Sequence, residues 1–269
     1  MILTTQSDMP MAVFPQFNET GIVSHGVSTR NGGVSTGTWA SLNLGFNRGD
    51  AYADVMENYN RFTAALDISI SDTVFSAQTH GVTLRHAFVS DRGKGIGRSS
   101  DFHQIDGLYT NDPGVALVTH FADCVPLLFL DPVKRVIAAS HSGWRGTAAE
   151  IGRITVETLN KEFGCDPEDI LAGIGPSIGP CCFEVDTPVA SEFIKKPAWI
   201  PYVTGPYGAD KYKVDLWSVN KQILLDAGLL PEHIDCCPVC TCCNEKLFYS
   251  HRRDGGKRGS MAAVICLKM

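Results

Sequence analysis

At 269 residues, 44% of them hydrophobic and with a mean hydropathy of −0.01, the chain can build a sizeable core but has no apolar run long enough to span a bilayer. A formal net charge of −6 and a pI near 5.7 exclude a sequence-independent nucleic-acid binder, which needs a basic footprint, and point to a small-molecule partner. Residues 1–15 show no basic stretch followed by an apolar one, so the ten cysteines are expected to be reduced thiols or metal ligands of a cytoplasmic protein rather than a disulfide framework.

Residues 22–29 alternate as a strand and run into the turn-rich Arg30-Asn31-Gly32-Gly33, with Leu42-Asn43-Leu44-Gly45 beyond it. Arg30 and Asn43 are candidates for contacting a ligand anion. Val55, Tyr59, Phe62 and Leu66 recur at helical spacing and predict an amphipathic helix over 54–66. Val74-Phe75 begins a short strand that ends by Gly81, and a strand pattern resumes over 82–88. His80 then sits in the turn, with Gln78 on its face at period two. Residues 91–100, rich in Gly, Arg and Lys and without periodicity, read as a mobile lid. Strands are expected over 105–110 and 115–121.

The most informative stretch follows. Residues 125–130 and 136–140 are two apolar runs about a turn at Asp131-Pro132, a buried hairpin whose two ends bring Cys124 and His141 to one sheet edge. The polar Ser142-Gly143-Trp144-Arg145-Gly146 directly after an apolar strand is a good site loop. Apolar spacing predicts a helix over 145–163 stopped by Gly164, its N-terminus and Arg145 forming a candidate anion site. A strand over 170–174 opens into a rigid loop with two Gly-Pro steps, Gly175-Pro176 and Gly179-Pro180, running on to Cys181-Cys182. Then come a helix from Asp186 to Phe193, a loop over 197–211, a helix over 216–227 closed by Gly228, and strands near 248–250 and 261–267. No repeat or low-complexity linker divides the chain, which reads as one domain, 1–269.

Three clusters bear chemistry. His80, Cys124 and His141 offer two imidazoles and a thiolate, a common zinc complement that leaves a fourth position open; a Cys-His nucleophile and base dyad is the competing reading. In the run Cys236 to Cys243, residues Cys237, Cys240 and Cys243 have the steps of a metal motif. No second pair lies at a typical partner distance, however, and adjacent cysteines on an extended chain point apart, so this run is expected to bind no metal. The basic cluster 250–258 reads as a surface hairpin turn, with the alternative that Arg252 or Arg253 reaches a substrate anion.

Gln78-Thr79-His80-Gly81, Ala122-Asp123-Cys124-Val125-Pro126, His141-Ser142-Gly143-Trp144-Arg145-Gly146-Thr147, Gly175-Pro176-Ser177-Ile178-Gly179 and Phe248-Tyr249-Ser250-His251-Arg252-Arg253 resemble, in order, the signatures of the YfiH-like laccase-domain family. The resemblance implies an α+β fold in a single domain, with mixed β-sheets packed between helices as layers α/β/β/α, related to the catalytic domain of a deamidating bacterial toxin. It implies zinc, or alternatively copper, on His80, Cys124 and His141. The activity it implies is purine nucleoside phosphorolysis, with adenosine deamination and methylthioadenosine phosphorolysis in the same site. The alternatives are a copper-dependent polyphenol oxidase and a Cys/His amidase acting on peptidoglycan precursors.

On that reading Cys124, Asp123 and Arg145 are the catalytic candidates, Asp123 for proton transfer and Arg145 for phosphate. Arg30, Asn43, Gln78, Ser142 and Arg252 are candidates for substrate binding. The expected partners are a purine nucleoside and phosphate, with no nucleic acid and no membrane, and a chain that is monomeric or a weak homo-oligomer. The chain departs from the family where Gly259-Ser260-Met261 replaces the usual Gly-Arg-Met and where His251 replaces the usual aromatic. An anion-binding role of the missing Arg would pass to Arg258. His120 is an extra imidazole, expected in the core or behind the ligands.

Overall fold

The strand Val125–Asp131 is buried along its whole length: Leu127 and Phe129 point to one side, Leu128 and Leu130 to the other, and each pair joins a different core cluster. Its hairpin partner Val136–Ser142 behaves the same way, with Ala138 on the first side and Ile137 and Ala139 on the second. A sheet covered on both faces at its centre requires layers above and below it, and the computed structural model, which describes residues 2–6, 9–208 and 210–269, shows them.

Two six-stranded mixed sheets lie face to face. One runs Ile2–Gln6, Met9–Val13, Val23–Ser28, Met261–Leu267, Ala116–Phe121, Thr73–Phe75; the other runs Ile234–Cys236, Leu171–Ile174, Val125–Asp131, Val136–Ser142, Gly107–Thr110, Leu84–His86. Ala263, Ile265 and Leu117 from the first sheet meet Leu128, Leu130 and Ile137 from the second in the layer between them. The outer face of the first sheet is covered by the helix Tyr52–Ala65 through Val55, Tyr59 and Phe62. The outer face of the second is covered by the helices Ile151–Phe163 and Leu216–Asp226. The α/β/β/α layering of the α+β reading is what the chain adopts.

Most expected elements are present, with shifted ends. The helix expected over 145–163 is two pieces, Trp144–Ala148 and Ile151–Phe163, because Glu150 takes a left-handed φ of 59° and breaks the hydrogen-bond ladder; Gly164 caps the second piece at φ 67°. The segment expected as loop over 197–211 contains the strand Val203–Tyr207, which pairs with Lys211–Val214 in a small third sheet whose far strand is Glu184–Asp186. No strand forms at 248–250, and the basic cluster begins a one-turn helix, His251–Asp254, rather than a hairpin. The expected lid is tied down: Gly93 N–H donates to Thr73 O at 2.8 Å, Gly95 N–H donates to Arg98 O at 3.0 Å, and Lys94 pairs with both Asp91 and Asp101. Among the described residues no helix is long and apolar enough to cross a membrane.

Candidate active site

The hairpin register sets Val125 opposite Ser142 and Pro126 opposite His141, so Cys124 and His141 arrive side by side at the sheet edge. His80 reaches the same point from the turn after Thr73–Phe75, where its own φ of 65° folds the chain back. The ligating atoms of the three all lie within 4.8 Å of one another, and the two imidazoles meet edge to face with centroids 4.9 Å apart. Gly143 closes over them so tightly that a Cβ there would lie 2.8 Å from His80 Cδ2 and 3.1 Å from Cys124 Sγ. Only a bare backbone fits beside three convergent donors.

Behind them stands a residue the sequence reading left inside a strand. Asp106 is fully buried and accepts at Oδ1 from His141 Nδ1 at 3.0 Å and from His80 N–H at 2.9 Å, and at Oδ2 from Thr79 N–H at 3.0 Å and Gly81 N–H at 2.8 Å. Burial would raise its pKa, but the bond from His141 and the backbone donors outweigh it and hold the carboxyl at about 2. One carboxylate thereby fixes the turn that carries His80 and the ring of His141, leaving Nε2 of His141 free for the site.

Burial also disfavours the charged forms of Cys124 and His141. Their mutual attraction prevails, helped at His141 by Asp106 and at Cys124 by His80, so that Cys124 is lowered to about 6 and His141 raised to about 9. A half-buried thiol held low in pKa beside two imidazoles, one of them clamped by a carboxylate, is a three-donor set whose chemistry would suit zinc.

That cavity holds about 790 Å³, a volume suited to a small organic ligand. Phe46, Phe75, Trp144 and Phe183 supply flat apolar wall, and Arg48, Arg145, Arg252 and Arg258 line it with positive charge. Arg258 is only 6% exposed; its Nη1 donates to Gly259 O at 2.9 Å and Ser260 Oγ at 2.8 Å, while its Nε is buried with no partner among the described residues. Burial and the neighbouring charge of Arg48 pull this guanidinium down to about 10. An incompletely neutralised, desolvated arginine beside a second one is a receptor for an anion. Ser260, at the position where the family resemblance implies an arginine, lines the same cavity and accepts from Arg258 Nη1, so Arg258 brings a guanidinium to that place from two residues away.

The other candidates divide into those that face the cavity and those that do not. Gln78 faces it, anchored by donating to His120 O at 2.7 Å and accepting from His120 N–H at 2.8 Å. His120 also lines the cavity, hydrogen-bonded to the Tyr59 hydroxyl and held neutral at about 4 by burial and by the charges of His141 and Arg48; it lies outside the three-donor group. Arg252 lines the cavity and donates to Cys182 O at 3.1 Å. Arg145 lines it as an exposed side chain, its guanidinium 4.2 Å from the Trp144 ring centroid.

Arg30, Asn43 and Ser142 are turned away from the cavity because their polar atoms have partners elsewhere. Arg30 donates to Ala40 O and Glu245 O, Asn43 is fully buried against Asp50, Gly45 and Ser260, and Ser142 is fully buried against Thr147 and Asn220. Asp123 borders the cavity, yet its carboxylate accepts from Thr241 Oγ1 at 2.6 Å, Ser250 Oγ at 3.0 Å and Arg252 N–H at 2.7 Å. It latches the start of the helix His251–Asp254 to the hairpin edge, an occupation that leaves little freedom for proton transfer.

The family described as multi-copper polyphenol oxidoreductase laccase matches residues 24–268. The relative named purine nucleoside phosphorylase YlmD from Bacillus subtilis is 38% identical over 271 aligned positions, covering 99% of this chain and 96% of that one. The one named purine nucleoside phosphorylase YfiH from Escherichia coli is 36% identical, covering 96% of this chain and 100% of that one. The crystal structure of YlmD from Geobacillus stearothermophilus superposes with a TM-score of 0.90 at 36% identity, covering 100% of this chain and 99% of the other. A match over nearly the whole length, in sequence and in fold, places this chain in the laccase-like YfiH/YlmD family.

Proposed function

We propose that this chain is a purine nucleoside phosphorylase that uses zinc held by His80, Cys124 and His141. The observation that carries the reading is that a three-donor group and the Arg48 and Arg258 pair open onto one cavity with aromatic walls; the relatives bearing that enzyme name support it. A purine ring stacks on flat walls such as Phe46 and Phe183, and phosphate is drawn to the buried guanidinium of Arg258, with Arg145 at the exposed side. Phosphate attack at the anomeric carbon of the sugar then releases the base. Zinc held by His80, Cys124 and His141 would supply Lewis-acid polarisation and, for hydrolytic chemistry, a water of lowered pKa. The reading extends to adenosine deamination at the same group and to methylthioadenosine phosphorolysis in the same pocket.

A copper polyphenol oxidase of the multicopper type gains no support from the donors: of the eight histidines, only His80 and His141 fall in a group able to hold an ion among the described residues. A hydrolytic dyad does have an observation in its favour, the Cys124 and His141 ion pair with Asp106 on Nδ1, an arrangement that would suit an amidase on peptidoglycan precursors.

Zinc-reconstituted protein is incubated with adenosine, inosine and methylthioadenosine, with and without phosphate, and the products are separated by chromatography. The expected result is phosphate-dependent release of free base, phosphate-independent inosine from adenosine, and loss of both with a chelator. Activity that survives complete chelation and is abolished by alkylating Cys124 belongs to the dyad. Absence of phosphate-dependent base release from zinc-loaded protein overturns the phosphorylase reading.

A further inference from the structure

The loop after the strand Leu171–Ile174 and the segment after the strand Ile234–Cys236 run beside each other, and four cysteines meet between them. The backbone joins them first: Ser177 and Cys240 form a bridge, with Thr241 N–H donating to Ser177 O at 3.0 Å and Cys237 N–H to Ile174 O at 2.8 Å. The sulfurs of Cys181, Cys182, Cys240 and Cys243 all lie within 4.8 Å of one another. Cys182 Sγ is 3.3 Å and Cys181 Sγ 3.5 Å from Cys243 Sγ.

These spacings discriminate between the fates of a thiol cluster. A disulfide needs sulfurs about 2.05 Å apart. Four thiolates at about 2.3 Å from one tetrahedral ion stand about 3.8 Å from each other, close to what is seen. Both objections raised by the sequence also fall. The second pair missing at local spacing is Cys181-Cys182, which the fold delivers from 61 residues away. Adjacent cysteines point apart only on an extended chain, whereas within 236–243 residues 241–243 form a turn and only Cys243 of its pair joins the group; Cys181-Cys182 likewise lie in a turn, not a strand, since Cys182 N–H and Phe183 N–H both donate to Gly179 O at 2.9 Å. On the other side Cys240 to Cys243 spans a single turn, a Cys-x-x-Cys step. Gly179 N–H donates to Cys240 Sγ at 3.2 Å, the kind of bond that steadies a thiolate on a metal. Gly179 has no room for anything larger, a Cβ there falling 3.2 Å from Cys240 Cβ and 2.5 Å from the Trp217 ring.

We propose that Cys181, Cys182, Cys240 and Cys243 bind one zinc ion as a tetrathiolate, a closed structural site separate from the His80, Cys124 and His141 group. With four protein ligands it has no position for substrate and its contribution is mechanical. The loop it ties carries Ile178 and Phe183, and the segment it ties leads to Arg252, all three lining the substrate cavity. Arg252 crosses the junction, donating to Cys182 O at 3.1 Å and lying 5.8 Å from the Phe183 ring centroid. The ion therefore fixes one wall of the cavity without touching its contents.

The test uses full-length His80→Ala/His141→Ala protein purified under reducing conditions without chelator, which removes the first site and leaves the second intact. Elemental analysis is expected to find about one zinc per chain, abolished when Cys181→Ser/Cys240→Ser is added. Cobalt substitution of the histidine variant should give intense thiolate-to-metal absorption. Stripping the ion with a strong chelator should expose four additional reactive thiols and lower Tm, both reversed by zinc. In the wild-type background Cys181→Ser/Cys240→Ser should raise KM for nucleoside more than it lowers kcat. Should the cysteine variant fail to fold, the chelator and cobalt readings on the histidine variant decide the matter alone. Zinc well below stoichiometric there, with no cobalt absorption after reconstitution, overturns the proposal; so does a disulfide among these four cysteines in freshly purified protein.

Discussion

Asp106 and His141 are bound together twice: the His141 N–H donates to Asp106 O at 2.7 Å, and its Nδ1 meets Asp106 Oδ1 at 3.0 Å. The strand that carries His141 and the carboxylate that orients its ring are therefore tied to each other. Asp106→Asn keeps the size but removes the charge and turns one acceptor into a donor facing N–H groups. Zinc affinity should fall about 10- to 100-fold, measured by competition with a chromophoric chelator, while the fold survives. Unchanged affinity would show that Asp106 serves only the turn at 79–81.

Gly143→Ala tests the space around the three donors. Its φ of −65° accepts any residue, so the substitution costs nothing in the backbone, and the added methyl strikes His80 and Cys124. The expected outcome is lowered metal occupancy by elemental analysis with a Tm loss of only a few degrees. Full occupancy would mean that the loop relaxes away from the site.

The anion role of Arg258 predicts a division between reactions. Arg258→Ser should lower kcat/KM for phosphorolysis by roughly one to two decades, the cost of a lost charge-assisted contact, and leave deamination, which needs no phosphate, largely intact. Arg145→Ala should follow the same pattern more weakly, since that side chain is exposed on Trp144. Because Ser260 lines the same cavity and its Oγ lies 2.8 Å from Arg258 Nη1, Arg258→Ser/Ser260→Arg should recover phosphate binding. A double variant no better than Arg258→Ser, with its fold intact, would show that an arginine at 260 cannot take this place.

Asp123→Asn separates latch from acid. Asparagine tolerates the φ of 83° at this position, so the change leaves the backbone unstrained while it removes the charge and replaces one acceptor oxygen by a donor. It weakens three hydrogen bonds to the 241–252 segment, and a loss on the order of 2 kcal/mol in urea unfolding is expected. Restoration of kcat to near wild type at saturating substrate would confirm a positioning role; loss of turnover by several decades without loss of stability would return Asp123 to proton transfer.

His25 sets part of the acid limit of stability. It is buried and its Nε2 accepts from Phe14 N–H at 2.8 Å, so protonation would turn that acceptor into a second donor. Burial, with the charge of Lys268, lowers its pKa from 6.5 to about 4. The unfolded chain takes up this proton first as pH falls, so the contribution is complete above pH 6.5 and lost progressively down to about pH 4, at roughly 1.4 kcal/mol per pH unit. Urea unfolding of wild type and His25→Gln from pH 7 to 4 should show a shallower acid decline in the variant. Parallel curves would contradict this.

What the sequence determined is what acts over short separations. Two continuous apolar runs about the Asp131-Pro132 turn specified the hairpin that carries Cys124 and His141, since a strand covered on both faces is apolar throughout, and helical spacing specified the helix Tyr52–Ala65, which shares one solvent boundary along its length. Family signatures singled out His80. Residue type alone could not separate Arg30, Asn43 and Ser142, whose polar atoms satisfy buried partners, from Arg48 and Arg258, whose charge lines the cavity, because every buried polar group needs a partner whether or not it serves a ligand. Only the tertiary structure decided that Asp106 stands behind a histidine 35 residues away, and that Cys181 and Cys182 meet cysteines some 60 positions later. Those meetings depend on how sheet edges and loops from distant parts of the chain are laid side by side, which no local periodicity records.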